Sequence, residues 1–171
     1  MIRGLFARLT GAPRRGEALF ASAVAEARQR HWYTGGAVPD TVEDRFAVLA
    51  TVVALLIVRL ERAGAAGEAA SVALTERFVE ALDAEIREMG VGDPALGRQV
   101  RALVGALATR VERWRDTVQG GRDWLATVLR SVYRDNAPPA EALAHSEAQL
   151  RALWQRLEQG SDGDIAEGRL G

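Results

Sequence analysis

Lysine and cysteine are both absent from the 171-residue sequence, so all 22 basic residues are arginine. Without an ε-amine the chain has no Schiff-base lysine, no Walker-type phosphate lysine and no lysine general base. Without a thiol it has no cysteine nucleophile, disulfide, iron–sulfur cluster or zinc ribbon. Arginine does not deprotonate near neutral pH, so acid–base chemistry is left to carboxylates, two histidines and two tyrosines. These absences make an enzyme the less favoured class.

Net charge and aromatic residues are also scarce. The formal net charge is −1, and aromatic residues make up 6% of the chain. A domain that binds nucleic-acid phosphates normally carries a net basic excess, so no specific nucleic-acid recognition is expected. Alanine is abundant, with 31 residues in a chain that is 48% apolar. This composition favours one helical domain with a hydrophobic core.

The sequence contains one prominent hydrophobic run, from Phe46 to Val58, which is apolar apart from Thr51. A membrane-spanning helix needs about 20 apolar residues, and this run is shorter. The run is typical of a helix buried on nearly all sides at the centre of a bundle. Thr41 and Asp44 have the spacing of a capping box, so we expect this central helix over about 41–63.

Helical periodicity continues on both sides of this run, and no segment alternates long enough to predict a β-strand. Glycine and proline separate the helical segments. The predicted fold is all-α, a single-domain bundle of about six to seven helices around the central apolar helix. We expect a basic amphipathic segment over residues 1–15, the helical domain over 16–159 and a disordered Gly/Asp tail over 160–171.

The N-terminal segment is basic and carries no acidic residue. Its apolar residues recur at helical spacing, but it lacks the apolar run and the cleavage site of a signal peptide. Two interpretations stay open: a peripheral contact with a membrane or a partner, and a terminal helix that packs on its own core. The residues that would make a peripheral contact are Arg3, Phe6, Arg8, Arg14 and Arg15.

No group of residues completes a catalytic or metal-binding motif. Glu141 and His145 lie four residues apart, a spacing that can hold a metal, but an exposed ion pair is the commoner outcome. His31 stands beside Trp32 and Tyr33 at a helix end, where a cationic or capping role requires no catalysis. No serine lies in a nucleophile-elbow motif. We therefore predict no catalytic residue, no metal site and no cofactor.

Two connections between helices carry polar, aromatic and glycine residues. Such residues bind partners when a rigid scaffold holds them, although capping and tight connection explain the same residues. Both interpretations stay open at this point. The candidate binding residues are Trp32, Tyr33, Pro39, Asp40, Thr41, Arg45, Met89, Gly90, Val91, Gly92 and Asp93.

Short motifs along the chain carry a resemblance to a known family. They are Tyr33-Thr34, Val38-Pro39-Asp40-Thr41, Asp44-Arg45-Phe46, Val58-Arg59-Leu60 and Arg87-Glu88-Met89-Gly90-Val91-Gly92-Asp93. With these motifs, residues 18–135 resemble the ubiquinol–cytochrome c chaperone family. That family comprises mitochondrial assembly factors of the cytochrome bc1 complex and their α-proteobacterial relatives.

The resemblance implies an all-helical, non-enzymatic chaperone. Mitochondrial members associate with the ribosome near the tunnel exit through a small partner protein, hold newly made cytochrome b and pass it into assembly. By analogy, this chain is expected to bind cytochrome b in the bacterial cytoplasm, at the cytoplasmic face of the inner membrane. The ribosome and a small partner chaperone are further candidate partners, and the basic N-terminal segment would supply proximity to membrane or ribosome. The alternative is a membrane-peripheral helical scaffold or adaptor whose clients are unrelated to respiration.

Overall fold

The computed structural model describes residues 15–88 and 93–171, and all regular structure within these ranges is α-helical. This confirms the predicted all-α fold. The helices are α1 (Glu17–Ala27), α2 (His31–Thr34), α3 (Val42–Leu60), α4 (Gly64–Glu88), α5 (Asp93–Val118), α6 (Trp124–Val132), α7 (Ala140–Gln159) and α8 (Asp162–Ala166). Residues 17–34 form two helices, because α1 ends at Ala27 and α2 is a separate short helix.

Helix α3 is the centre of the bundle, as the apolar run predicts. It contacts α1, α4, α5, α6, α7 and α8, and every side chain from Ala50 to Leu60 is buried. Within this stretch, Thr51 donates a hydrogen bond to the Ala47 carbonyl at 2.8 Å, so its hydroxyl is satisfied inside the helix. None of the described helices, α3 included, has the length and hydropathy needed to cross a membrane.

The predicted capping box fixes the start of α3. The Thr41 hydroxyl accepts a hydrogen bond from the Asp44 backbone N–H at 3.2 Å and donates one to the Asp44 carboxylate at 2.7 Å. The same buried carboxylate accepts a hydrogen bond from Arg134 Nη2 at 2.7 Å. The cap therefore also ties the α6–α7 connection to the first turn of the central helix.

The C-terminal tail over 160–171, which is expected from composition to be disordered, packs on the bundle in the structure. Part of it forms α8, and the side chains of Ile165 and Leu170 are buried against the core. Arg59 of α3 lies beneath it, with Nη2 2.8 Å from Asp162 Oδ1. The composition of the tail predicts disorder, but two apolar side chains and one buried arginine of another helix are enough to fix it.

Candidate functional site

An open groove of about 770 Å³ lies between α1, α3 and α4. Its apolar wall consists of Phe20, Val24, Ala27, Val42, Phe46, Leu49, Phe78, Ala81 and Leu82. Its polar rim consists of Arg28, Arg30, Tyr33, Thr34, Asp40, Arg45 and Glu85. An accessible apolar wall inside a charged rim is typical of a surface that binds an amphipathic or apolar segment of a partner.

Three of the residues predicted from the sequence meet at this rim. Asp40 accepts a hydrogen bond from Arg45 Nε, which holds the pKa of the Asp40 carboxyl below its ordinary value and raises the pKa of Arg45. Tyr33 donates a hydrogen bond to the Ala27 carbonyl at 3.1 Å, and burial raises the pKa of its phenol. Both side chains of the Asp40–Arg45 ion pair are more than half exposed, so they are accessible to a partner.

A buried tyrosine, Tyr133, fixes the connection between α2 and α3, which carries Asp40. Tyr133 donates a hydrogen bond to the Gly36 carbonyl at 2.6 Å, and Ser146 Oγ of α7 lies 2.6 Å from the same hydroxyl. Gly36 is required here, because a Cβ at this position would lie 2.7 Å from Ser146 Oγ and 2.6 Å from the Trp32 carbonyl oxygen. The rim is therefore held in place by Tyr133 at the end of α6 and Ser146 of α7, neither of which lines the groove itself.

Trp32 was assigned to the binding surface, and the structure corrects this assignment. Its side chain is fully buried, and its indole N–H donates a hydrogen bond to the Glu26 carbonyl at 2.9 Å. The same carbonyl also accepts a hydrogen bond from the Gln29 backbone N–H at 3.3 Å, so the indole adds a further donor at the C-terminal turn of α1. Trp32 therefore holds α2 against α1. The Thr41 hydroxyl is engaged in the helix cap, and Pro39 is exposed beside the rim without lining the groove.

The other predicted binding residues fall largely outside the described residues. Met89, Gly90, Val91 and Gly92 lie in the undescribed connection, and Asp93 is the first residue of α5. Arg3, Phe6, Arg8 and Arg14 also lie outside the described residues, whereas Arg15 is exposed just before α1. The roles assigned to both segments stay predictions.

The two histidines of the chain meet between α2 and α7. His145 Nε2 lies 3.4 Å from His31 Nδ1, and their ring centroids are 5.4 Å apart. Burial, followed by the positive charges of His145 and Arg156, holds the pKa of His31 below its ordinary value. Within residues 15–88 and 93–171, no group of three or more potential ligands could hold a metal ion. The pair is best described as a packing contact that favours a neutral His31.

Comparison with known proteins identifies the family. The model of the ubiquinol-cytochrome C chaperone family matches residues 35–170. The chain belongs to this family. Its fold is similar to the crystal structure of the Cbp3 homolog from Brucella abortus, with a TM-score of 0.78 and 25% sequence identity over 98% of this chain and 94% of that chain. No curated protein matches the sequence.

The family match confirms the resemblance carried by the sequence motifs and extends it towards the C-terminus. The matched range includes the rim residues Asp40 and Arg45 as well as the packed helix α8. It begins after α1, so Phe20 and Val24 contribute to the groove from outside the matched range.

Sequence reasoning missed the apolar wall of the groove and the basic residues Arg28 and Arg30. Helical periodicity places each wall residue on the apolar face of its own helix, and that face is ordinarily assigned to the core. One signal was present in the sequence. From Phe46 onwards, α3 has apolar residues on every side. The helices around its first turns cannot cover all of these side chains, and Phe46 and Leu49 are only partly buried.

Proposed function

We propose that this member of the ubiquinol-cytochrome c chaperone family is a non-enzymatic assembly chaperone that binds newly made cytochrome b and promotes assembly of the cytochrome bc1 complex. The groove between α1, α3 and α4 carries this proposal. A membrane protein exposes apolar segments before it is inserted or assembled, and a chaperone must cover one without altering it covalently. The groove offers such a segment an apolar wall on which Phe20, Phe46 and Leu49 are partly exposed over the buried Phe78 and Leu82, and a polar rim to orient it.

The electrostatics of the rim favour binding over proton transfer. A general acid or base works best with a pKa near the working pH. The Asp40 carboxyl has its pKa lowered by Arg45, and the Tyr33 phenol has its pKa raised by burial, so both are held away from neutrality. These groups are suited to fixed hydrogen bonds with a client.

The proposal places the chaperone in the bacterial cytoplasm at the inner membrane, where cytochrome b is inserted. The ribosome and a small partner chaperone are candidate partners at that site. The N-terminal residues Arg3, Phe6, Arg8, Arg14 and Arg15 are proposed to bring the chaperone close to the membrane or the ribosome. Similarity to the Cbp3 homolog over almost the whole chain supports a shared architecture for this task.

Affinity purification with a matched pair of variants tests the proposal. The tagged full chain is recovered from detergent-solubilised cells, and co-purified cytochrome b is measured by its haem spectrum and by immunoblot. Val42 lines the groove and is 52% exposed, so Val42→Asp puts a charge on the wall at small cost to the fold. Val72 is 54% exposed but does not line the groove, so Val72→Asp is the control. We expect Val42→Asp to reduce recovery about tenfold or more, because it buries an unpaired carboxylate, and Val72→Asp to leave it unchanged.

Deletion of the gene tests the cellular role separately. We expect less assembled bc1 complex and a weaker cytochrome b haem signal in the deletion strain. Unchanged spectra would contradict the proposal. Normal bc1 levels together with pull-downs enriched in other proteins would favour the scaffold or adaptor. Equal recovery of cytochrome b by the two valine variants would exclude the groove as the binding surface.

A further inference from the structure

A second pocket, of about 240 Å³, lies between α5 and α6 and shares no lining residue with the groove. Half of its lining residues are arginines. The lining residues are Arg113, Arg122, Asp123, Ala126, Thr127 and Arg130. We name it the α5–α6 arginine pocket.

The arginines of this pocket are only partly compensated by acidic residues. Arg122 pairs with Asp116 at 3.0 Å, and Arg130 pairs with Asp135 at 2.9 Å. Within the described residues, the Arg113 guanidinium has no hydrogen bond or ion pair, and Asp135 compensates its charge only in part. Burial, followed by the charges of Arg130 and Arg122, lowers the pKa of Arg113. The guanidinium of Arg113 therefore leaves a local excess of positive charge in the pocket.

A further arginine, Arg110, lies close enough to Arg113 for their charges to interact, and it adds to this excess. Arg110 stands one turn before Arg113 on α5, and its Nη2 donates a hydrogen bond to the Ser131 carbonyl at 2.9 Å. Its Nε is buried with no hydrogen-bond partner. Burial, followed by the charge of Arg113, lowers the pKa of Arg110 to about 10. A buried guanidinium without a carboxylate partner is stabilised when an anion binds nearby.

The remaining carboxylate of the pocket is already engaged. Asp123 is the N-cap of α6, and its Oδ1 accepts a hydrogen bond from the Ala126 backbone N–H at 2.8 Å. The acidic residues Asp116, Asp123 and Asp135 are thus outnumbered by the four arginines, and each of them has a partner. The pocket carries a net positive charge in a chain whose overall net charge is −1.

We infer that the α5–α6 arginine pocket binds the phosphate group of an anionic phospholipid at a membrane surface. Guanidinium groups match phosphate oxygens through paired hydrogen bonds, and the pocket has room for a single headgroup. The side chains of Arg122 and Arg130 are more than half exposed at the pocket, so a headgroup at a membrane surface can reach both guanidinium groups. A nucleic-acid backbone needs a longer basic track than one small pocket supplies. The inference holds whichever client the groove takes.

Vesicle co-sedimentation of the purified full chain tests the inference. Phosphatidylcholine vesicles with and without phosphatidylglycerol are compared. We expect binding that requires phosphatidylglycerol and that Arg113→Gln weakens about fivefold, the share expected of one basic residue at an anionic surface. Arg98→Gln is the matched control, because Arg98 is an exposed arginine of the same helix, about 22 Å away along its axis and well beyond the Debye length.

A second variant keeps the test decisive if Arg113→Gln alters the fold, which circular dichroism would reveal. Arg122→Gln removes an exposed guanidinium that lines the same pocket, and we expect it to weaken vesicle binding about fivefold while the secondary structure is retained. Three results would overturn the inference. The first is no binding to phosphatidylglycerol vesicles, and the second is an equal loss of binding for the Arg113 and Arg98 variants. The third is displacement of the chain from the vesicles by inorganic phosphate present at the same concentration as the lipid phosphate.

Discussion

Replacement of Arg59 by methionine tests the strongest link between the central helix and the C-terminal tail. Arg59 is 7% exposed; its Nε donates a hydrogen bond to the Leu157 carbonyl at 2.7 Å, and its Nη2 donates one to the Gly160 carbonyl at 2.9 Å. Methionine keeps most of the apolar stem but leaves both carbonyls without this donor. Charged hydrogen bonds contribute about 1.5–3 kcal/mol each, and the half-exposed ion pair with Asp162 adds at most about 1 kcal/mol.

We therefore expect Arg59→Met to lower the free energy of unfolding by about 3–5 kcal/mol, which is a large fraction of the total for a domain of this size. In urea unfolding followed by circular dichroism, this corresponds to a midpoint lower by about 2 M at an m-value of about 2 kcal/mol/M. Arg62→Met is the control, because Arg62 makes one exposed ion pair with Glu158 and stacks on Trp154. It should cost about 1 kcal/mol. Equal costs for the two variants would refute the reasoning.

Further predictions concern two glycines and the histidine pair. Gly105→Ala should raise the free energy of unfolding by about 0.5–1 kcal/mol in urea titrations, since a methyl group meets nothing there and alanine favours the helix. Gly67→Ala should lower it instead, because the methyl group would overlap the Leu60 carbonyl oxygen; a gain at Gly67 would contradict the packing of α4 on α3. The pKa of His31 is lowered in the folded chain, so the unfolded chain binds a proton at this histidine more readily. The stability contributed by neutral His31 is therefore present above its ordinary pKa of 6.5. It falls as the pH drops through that value. Thermal melts should show this fall, and His31→Gln or His145→Gln should reduce it.

Features fixed by neighbouring residues in the chain were predictable from the sequence. The Thr41–Asp44 cap forms as expected, and the run from Phe46 to Val58 becomes the buried centre of α3. Each depends on residues within a turn or two of one helix. The start of α4 was less predictable, since it begins at Gly64 and includes Gly67, whose missing side chain leaves room for the Leu60 carbonyl oxygen of α3.

Features that depend on distant segments were not predictable. Tyr33, Asp40 and Arg45 could be proposed together because they lie in one short stretch, and they do meet at one rim. The apolar wall opposite them comes from three helices, so it can be predicted only when the packing of these helices is known. Trp32 was misassigned for the same reason, since nothing in its local sequence shows that the indole turns inward towards the C-terminal end of α1.

The bond between Tyr133 and Gly36 has a consequence for the order in which the chaperone becomes competent during synthesis. The wall and rim of the groove come from the first half of the chain, whereas the groups that hold the rim, Tyr133 and Ser146, come from the second half. When only the groove-forming half of the chain has left the ribosome, the chain has its apolar wall, but the rim is not yet fixed. If the groove binds the client as proposed, binding is coupled to synthesis of Tyr133 and Ser146, because an unfinished chain lacks the groups that fix the rim.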